Sequence, residues 1–370
     1  MILGSTFVQL SDSVVELHHK YDGSGADTED CKITSFNQGK KCTVSVKATA
    51  KMKAPIYVYY QIDNFYQNHR QYVKSWSYEQ LLGDYTMTSK DDDLSDACSS
   101  LLTNGSKVLN PCGLVANSLF NDVITLSSSS AYAPMTHNSI AWKSDVEHKF
   151  QQPGHTNGVI ECKHSCKKKF IHAEVTAASD KINPCVSGSW GQNVCSNTLC
   201  TTYLGSKGWE TSDGYCKGFM CPQNSGYANL YGCDAGTYHV YWYPDQDTTQ
   251  YLYQTFPEVI SPLVGVKSPQ FAVWMRTAAL PKFMKLYGKI ETDIPKGATI
   301  DFDIVNNFAV NGFKGSKTLV ITTTTWIGGK NAFLGRAYLI VGSICLAGGI
   351  AFFVKWQVNP RKLGDTSRLY

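Results

Sequence analysis

The feature that most constrains this chain is an apolar segment close to its C-terminus, residues 333–357 (FLGRAYLIVGSICLAGGIAFFVKWQ). Within it, residues 337–354 supply 18 consecutive uncharged positions. As a helix they extend for about 27 Å, close to the thickness of the hydrocarbon core of a bilayer. Arg336 and Lys355 bracket these positions, and their long side chains can reach the headgroups. A buried core helix is the alternative, but a run of this length without a polar face favours a transmembrane helix over residues 333–355.

The cysteines indicate the compartment of the rest of the chain. There are 13, of which twelve lie between Cys31 and Cys233, while Cys345 falls inside the apolar segment. An even number outside the span is typical of paired thiols in an oxidising compartment. Zinc binding is the alternative, because pairs such as Cys162 and Cys166 have ligand-like spacing. The even count and the membrane context favour disulfides over zinc.

These observations predict a topology. Residues 11–332 are expected on the lumenal or extracellular side, with residues 356–370 as a cytosolic tail. Export of so large a domain needs an earlier signal than a C-terminal span. Residues 1–10 (MILGSTFVQL) are apolar but too short to span, and they lack a basic leader and a cleavage site. We therefore expect them to be the remnant of a first transmembrane helix that is largely missing from this chain.

Composition favours a β-rich exoplasmic domain over a nucleic-acid-binding protein or a cytosolic enzyme. The formal net charge is +4, from 34 basic and 30 acidic residues that are scattered along the chain. Such scatter argues against nucleic-acid binding. Charged residues make up only 17% of the sequence, while Tyr, Gly, Ser and Thr are frequent.

Residue patterns predict antiparallel strands near both ends of this domain. Residues 43–54 alternate apolar and polar side chains, and a second strand follows Pro55. Residues 298–310 and 317–326 also resemble strands, and the Gly-containing segment between them predicts a hairpin. The early and late strands are expected to pair in one sheet or in two packed sheets. The predicted fold is mainly β, an antiparallel sandwich-like domain with short helices.

Two segments show the spacing of apolar residues that is typical of helices, and one region differs from the rest of the chain in composition. Apolar residues recur at intervals of three and four in residues 63–76, where Asn64 and Gln67 resemble a helix cap, and in residues 280–290. Residues 152–265 hold eight of the cysteines among Gly, Ser and Asn, so they are expected to form a Cys-rich insertion stabilised by cross-links.

Several residues suggest contact with other molecules. Asn104 begins the one N-x-S/T sequon and is predicted to carry a glycan. Trp274 and Arg276 have the composition of an interface hot spot, although a packed Trp beside an internal ion pair is the equal alternative.

Residues at and within the span suggest contacts at the membrane. Lys330 is expected at headgroup height. Ser343, Ala347 and Ala351 form a stripe of small side chains that is predicted to contact a partner helix.

Four long motifs, in this order, carry a resemblance to a known family. They are YYQIDNFYQNHRQYVKS at 59–75, NPCGLVANSLFND at 110–122, VWMRTAALPKFMKLYG at 273–288 and TTTTWIGGKNAFLGRAYLIVG at 322–342. The chain resembles the non-catalytic β-subunits of type IV P-type ATPases, the phospholipid flippases, also called the ligand-effect-modulator or cell-division-control-50 family. The resemblance covers residues 11–151 and approximately 266–370; the Cys-rich insertion is larger than the family's usual segment.

The resemblance implies an accessory glycoprotein with two spans that pairs with a catalytic flippase subunit. It implies a role in the exit of that subunit from the endoplasmic reticulum and in its transport cycle, with residence in the endoplasmic reticulum, Golgi and plasma membrane. Disulfides Cys31–Cys42 and Cys98–Cys112 are implied in the same way. No cofactor or metal is implied, and the sequence contains no phosphate-binding loop, phosphorylated-Asp motif or nucleophile elbow. The alternative function is a free-standing Cys-rich receptor or adhesion ectodomain.

Overall fold

A computed structural model of the chain describes residues 2–27, 29–84, 92–127, 132–153, 172–175, 217–235, 238–241, 243, 248–326 and 328–358. Its helices are α1 Ile2–Asp12, α2 Arg70–Lys74, α3 Tyr78–Leu81, α4 Asp92–Ala97, α5 Leu114–Asn117, α6 Lys143–His148, α7 Ser225–Tyr231, α8 Leu252–Thr255, α9 Pro269–Met275 and α10 Phe333–Val358. Its strands are β1 Glu16–Gly23, β2 Lys40–Lys47, β3 Ile56–Asp63, β4 Thr103–Asn104, β5 Lys107–Asn110, β6 Val123–Leu126, β7 His172–Val175, β8 Lys217–Met220, β9 Tyr238–Tyr241, β10 Thr249–Tyr251, β11 Phe283–Ile290, β12 Thr299–Asn306 and β13 Ser316–Thr322.

The largest sheet has four antiparallel strands in the order β1-β13-β3-β11. Glu16 at the start of β1 pairs with Thr322 at the end of β13, so the segments that lead to α1 and α10 leave the sheet at one end. In β3 every second side chain is buried, which is the period that a sheet with one covered face requires. The two terminal helices, α1 and α10, are therefore both connected to the same end of this four-stranded sheet.

A second antiparallel sheet, in the order β2-β12-β6, shares the core with the first. The full-length pairing of β2 with β12 joins an early and a late part of the chain, as the alternating patterns predict. The strand predicted over residues 43–54 is shorter, because β2 ends at Lys47 and Met52 only forms an isolated bridge with Ile294. The mainly β prediction, with antiparallel sheets and short helices, is confirmed.

A buried ionic cluster links the two sheets. Lys317 on β13 lies 2.7 Å from the Asp122 carboxylate and 3.2 Å from that of Asp22, and all three side chains are inaccessible to solvent or nearly so. The Lys317 ammonium also donates hydrogen bonds to the Asn306 side chain and, at 2.5 Å, to the Phe308 carbonyl. Every charge in the cluster has a partner, so ion pairs and hydrogen bonds offset the desolvation penalty of burying these groups.

The predicted hairpin between residues 298–310 and 317–326 is wrong. Both segments contain strands, but β12 lies in the three-stranded sheet and β13 in the four-stranded sheet. The connection between them crosses from one sheet to the other, and it buries Asn307 and Phe308 on the way. The Gly residues after β12 therefore serve this crossing and not a tight turn between paired strands.

The helix predicted over residues 280–290 is a strand, β11. Phe283, Lys285 and Tyr287 alternate toward the interior, which is a period of two. The period of two is hard to recognise in the sequence because a charged residue, Lys285, occupies an inward position. Its ammonium is buried and donates to three carbonyls at the end of α9, those of Val273, Trp274 and Arg276.

Most of the helix predicted over residues 63–76 is absent as well. Only Arg70–Lys74 is helical, and Asn64 has a left-handed φ of 62° that starts no helix. The proposed cap is wrong for the same reason: the Asn64 amide donates to the Phe313 carbonyl. Gln67 is buried and accepts a hydrogen bond from the Ala278 amide.

Part of the Cys-rich segment, residues 152–265, lies within the described ranges. Strands β7, β9 and β8 form a small antiparallel sheet in that order. A disulfide joins Cys221 to Cys233 across α7. The other six cysteines of the segment lie outside the described residues, so the choice between disulfides and zinc is untested for them.

Candidate partner-binding surfaces

The two terminal helices pack against each other through glycines. A Cβ atom on Gly4 of α1 would lie 2.9 Å from the Leu339 side chain of α10, and a Cβ on Gly335 would lie 2.7 Å from the Val8 side chain. Gly4 therefore contacts Leu339, and Val8, one turn later in α1, contacts Gly335, one turn earlier in α10. The two helices are antiparallel. Small residues at such contacts allow the backbones to approach closely. The sequence analysis missed this pairing, although Gly335 in the first turn of an apolar helix is its signal.

Within the described residues, α10 is the one helix long and apolar enough to cross a membrane. The stripe of Ser343, Ala347 and Ala351 lies on α10 beyond its contact with α1 and is exposed. At roughly 100° per residue, Ser343 lies about 40° from Leu339 on the row that Gly335 and Leu339 begin, and Ala347 and Ala351 turn progressively farther from that face. Its contact with a partner helix stays a prediction.

Aromatic side chains surround the junction between the helices and the sheets. The Phe7 ring lies edge-on to Tyr338 at 5.6 Å and to Trp326 at 6.5 Å between centroids. Trp326 is mostly exposed, as is Lys330 a few residues later. Tyr and Trp with a neighbouring cation are typical of the membrane–water interface. The predicted position of Lys330 at headgroup height stays a prediction that this arrangement supports.

The assignment of Trp274 to a partner surface has to be corrected. Its side chain is fully buried, and the indole nitrogen donates a 2.8 Å hydrogen bond to the Val115 carbonyl. Its ring packs among Phe65, Phe283 and Phe308 in the aromatic core. Of the two alternatives considered from the sequence, the packed tryptophan is the one that this burial supports.

Arg276, in contrast, lies at the surface in a fixed position. Its Nε donates a 2.5 Å hydrogen bond to the carboxylate of Asp145, which is buried and also pairs with Lys149 at 2.8 Å. The hydrogen bond from Arg276 holds the pKa of Asp145 below its ordinary value. The guanidinium stacks on the exposed ring of Trp142 at 5.3 Å. The sequence analysis missed Trp142, which belongs to no periodic pattern.

The disulfides Cys31–Cys42 and Cys98–Cys112 are present, the two pairings that the family resemblance implies. The first joins the loop after β1 to β2, and the second joins the residue that follows α4 to the segment before α5. Asn104 is exposed at the end of β4, directly before the turn to β5, where Gly105 has a φ of +60° and open space around it. A glycan on Asn104 stays a prediction.

No group of three or more His, Cys, Asp or Glu side chains within the described residues is arranged to hold a metal ion. The buried charged groups of these residues are engaged in internal contacts, as in the Lys317 cluster. What the fold defines is a disulfide-containing, mainly β protein that has, among its described residues, one helix long and apolar enough to cross a membrane.

The comparisons with known proteins agree with that class. The sequence profile of the LEM3 (ligand-effect modulator 3) / CDC50 family matches residues 7–362. ALA-interacting subunit 3 of Arabidopsis thaliana is 34% identical over 99% of this chain and 79% of its own length. Cell cycle control protein 50A of Mus musculus and cell cycle control protein 50B of Homo sapiens are each 28% identical over 95% of this chain, which covers 80% and 82% of their lengths.

The chain therefore belongs to the LEM3/CDC50 family. Members of this family are non-catalytic accessory subunits of type IV P-type ATPases, and this chain is accordingly an accessory membrane subunit and not an enzyme.

Proposed function

We propose that this chain binds the catalytic subunit of a type IV P-type ATPase and is required for its folding, its exit from the endoplasmic reticulum and its transport cycle. The observation that carries the proposal is family membership over residues 7–362, together with relatives whose names describe ALA-interacting subunits. The complex would then move phospholipid between the leaflets of the Golgi and plasma membranes.

Two features of the molecule support a partner within the membrane. Helices α1 and α10 pack at Gly4 and Gly335, which supports the assignment of residues 1–10 to the end of a first span. The stripe of Ser343, Ala347 and Ala351 is exposed in the part of the chain that the structure describes and lies farther along α10 than Leu339. If this chain binds only the folded catalytic subunit, binding stabilises that folded state by mass action, and contacts that differ between the states of the catalytic subunit shift its conformational equilibrium.

The test is purification of the full-length protein in mild detergent, followed by mass spectrometry of what remains bound. We expect a P-type ATPase in near-stoichiometric amount. In cells that lack this chain, the same ATPase should stay in the endoplasmic reticulum. A chain that is monodisperse and free of any ATPase, in a preparation that retains other membrane complexes, would overturn the proposal and favour the receptor or adhesion alternative.

A further inference from the structure

Two apolar cavities lie on either side of Arg276. The first, of about 350 Å³, is lined by Ile140, Trp142, Met284 and Leu286 on the outer side of β11. The second, of about 320 Å³, is lined by Val73, Trp76, Tyr78 and Met275. Arg276 contributes to both linings, so its side chain forms a ridge between two grooves. Each groove has room for one or two large side chains.

The ridge is held in place before any partner arrives. Asp145 is buried beneath it and accepts hydrogen bonds from both Arg276 and Lys149, while Trp142 stacks on the guanidinium. A side chain that is already ordered loses little conformational entropy on binding. Five N–H groups are available on a guanidinium, and the bond from Nε to Asp145 uses one of them.

Large apolar side chains around the ridge are open to solvent. Trp142 is 67% exposed, Tyr78 50% and Met284 47%. Clusters of exposed aromatic and apolar side chains with a central Arg have the composition of interface hot spots. Asn104, the only sequon residue, lines neither groove, so the predicted glycan is not attached to them.

Charge and position restrict what can bind there. The exposed cations of the two grooves are Arg276 and Lys149, and the acid between them, Asp145, is buried and paired with both. An acidic group is therefore favoured over the ridge. Met284 lies near the end of the four-stranded sheet opposite to the end that leads to α1 and α10, since β11 runs from Phe283 at that far end to Ile290. This position favours a protein loop over a lipid headgroup as the occupant.

We propose that these two grooves bind an exoplasmic loop of the catalytic subunit, with an apolar or aromatic side chain in each groove and an acidic side chain on Arg276 between them. The inference rests on the proposed function and assigns a second contact, outside the membrane, to the same complex. Trp142 and Met284 are the anchors of this surface, and Arg276 supplies its charge.

The experiment is a competition between two full-length chains. Wild-type and variant chains with different tags are expressed with a limiting amount of the catalytic subunit, and the ratio of tags in the purified complex is measured. Trp142→Ala removes the exposed ring, and Met284→Glu places a charge in the first groove. Each variant should be excluded from the complex about tenfold or more, as truncation of a hot-spot residue produces.

The controls match the variants in exposure and chemistry but lie elsewhere. Phe36→Ala removes another exposed aromatic ring, and Thr299→Glu adds a charge to an exposed strand position. Both should share the catalytic subunit equally with the wild-type chain. Equal incorporation of Trp142→Ala and Met284→Glu would overturn the inference while leaving the proposed function intact. Failure of the wild-type chain to capture an ATPase would instead overturn the proposed function.

Discussion

Lys317 is the cation of the buried ionic cluster that links the two sheets. Replacing it with Met would leave the carboxylates of Asp22 and Asp122 buried next to each other without a cation. Removing one partner of a buried ionic group typically costs about 3–5 kcal/mol, because the desolvation penalty of the other partner is no longer offset. We therefore expect Lys317→Met to lower the thermal unfolding temperature of the purified chain strongly and to reduce its yield.

The matched control for Lys317→Met is Lys51→Met. Lys51 pairs with Asp293 at 3.2 Å, but both side chains are more than half exposed. An exposed pair of this kind contributes at most about 1 kcal/mol. An equal loss of thermal stability in the two variants would show that the buried cluster contributes no more than a surface ion pair.

His137 makes the stability of the domain depend on pH. Its Nδ1 lies 2.8 Å from the Tyr287 carbonyl, which can only accept, so Nδ1 carries the proton. Burial lowers the pKa of His137 from 6.5 to about 4. Between these values the unfolded chain binds a proton that the folded chain does not, so stability falls as the pH falls from about 6.5 to about 4. The full difference corresponds to about 3 kcal/mol.

His137→Asn keeps a donor near the position of Nδ1 and removes the titration. We expect the unfolding temperature of this variant to change less between about pH 7 and pH 5 than that of the wild-type chain. His69→Asn makes the same substitution at an exposed position and serves as the control for the change of residue type. If the variant lacking His137 loses as much stability as the wild type over this range, other groups cause the acid sensitivity.

At the level of single elements, β2 and β11 show what the sequence can and cannot reveal. In β2 the buried positions are Val44 and Val46 and the outward ones are polar, so the alternation can be recognised in the amino-acid sequence. In β11 the inward position of Lys285 hides the period, because its burial depends on carbonyl groups at the end of α9. Contacts made by distant parts of the chain leave no local pattern.

The packing of α1 on α10 gives a prediction for an element pair. Gly335→Val would bring two methyl groups against Val8 and the backbone of α1, and overpacking of this kind costs about 1–3 kcal/mol. We expect the variant to have a lower unfolding temperature in detergent. Gly348→Val is the control, because nothing in the described chain lies within 4 Å of a Cβ at that position. Equal stability of the two variants would contradict the close pairing of the helices.

For the whole molecule, the antiparallel class, the membrane helix and the family could be predicted from the sequence. The arrangement of the surfaces could not. Trp274 and Arg276 are two positions apart, yet one lies in the aromatic core and the other at the surface. The difference arises because α9 ends at Met275, so Trp274 still faces Val115, while Arg276 turns outward to Asp145.

The exposed face of α10 leads to a last prediction. The stripe of Ser343, Ala347 and Ala351 is exposed, so larger side chains there should not disturb the chain alone. Ala347→Leu, in the middle of the stripe, is expected to reduce the amount of catalytic subunit that co-purifies with the full-length chain, while its unfolding temperature stays unchanged. Close approach of two helices requires small residues at the contact, and an added isobutyl group keeps them apart.

Cys345→Leu is the matched control for Ala347→Leu. It makes a similar increase in side-chain size at another exposed position of α10. At roughly 100° per residue, Cys345 lies on nearly the opposite face of the helix from the stripe. This variant should retain the catalytic subunit as the wild-type chain does. If Ala347→Leu retains it equally well, the stripe faces lipid, and recognition of the partner depends on the β-rich domain and on other faces of α10.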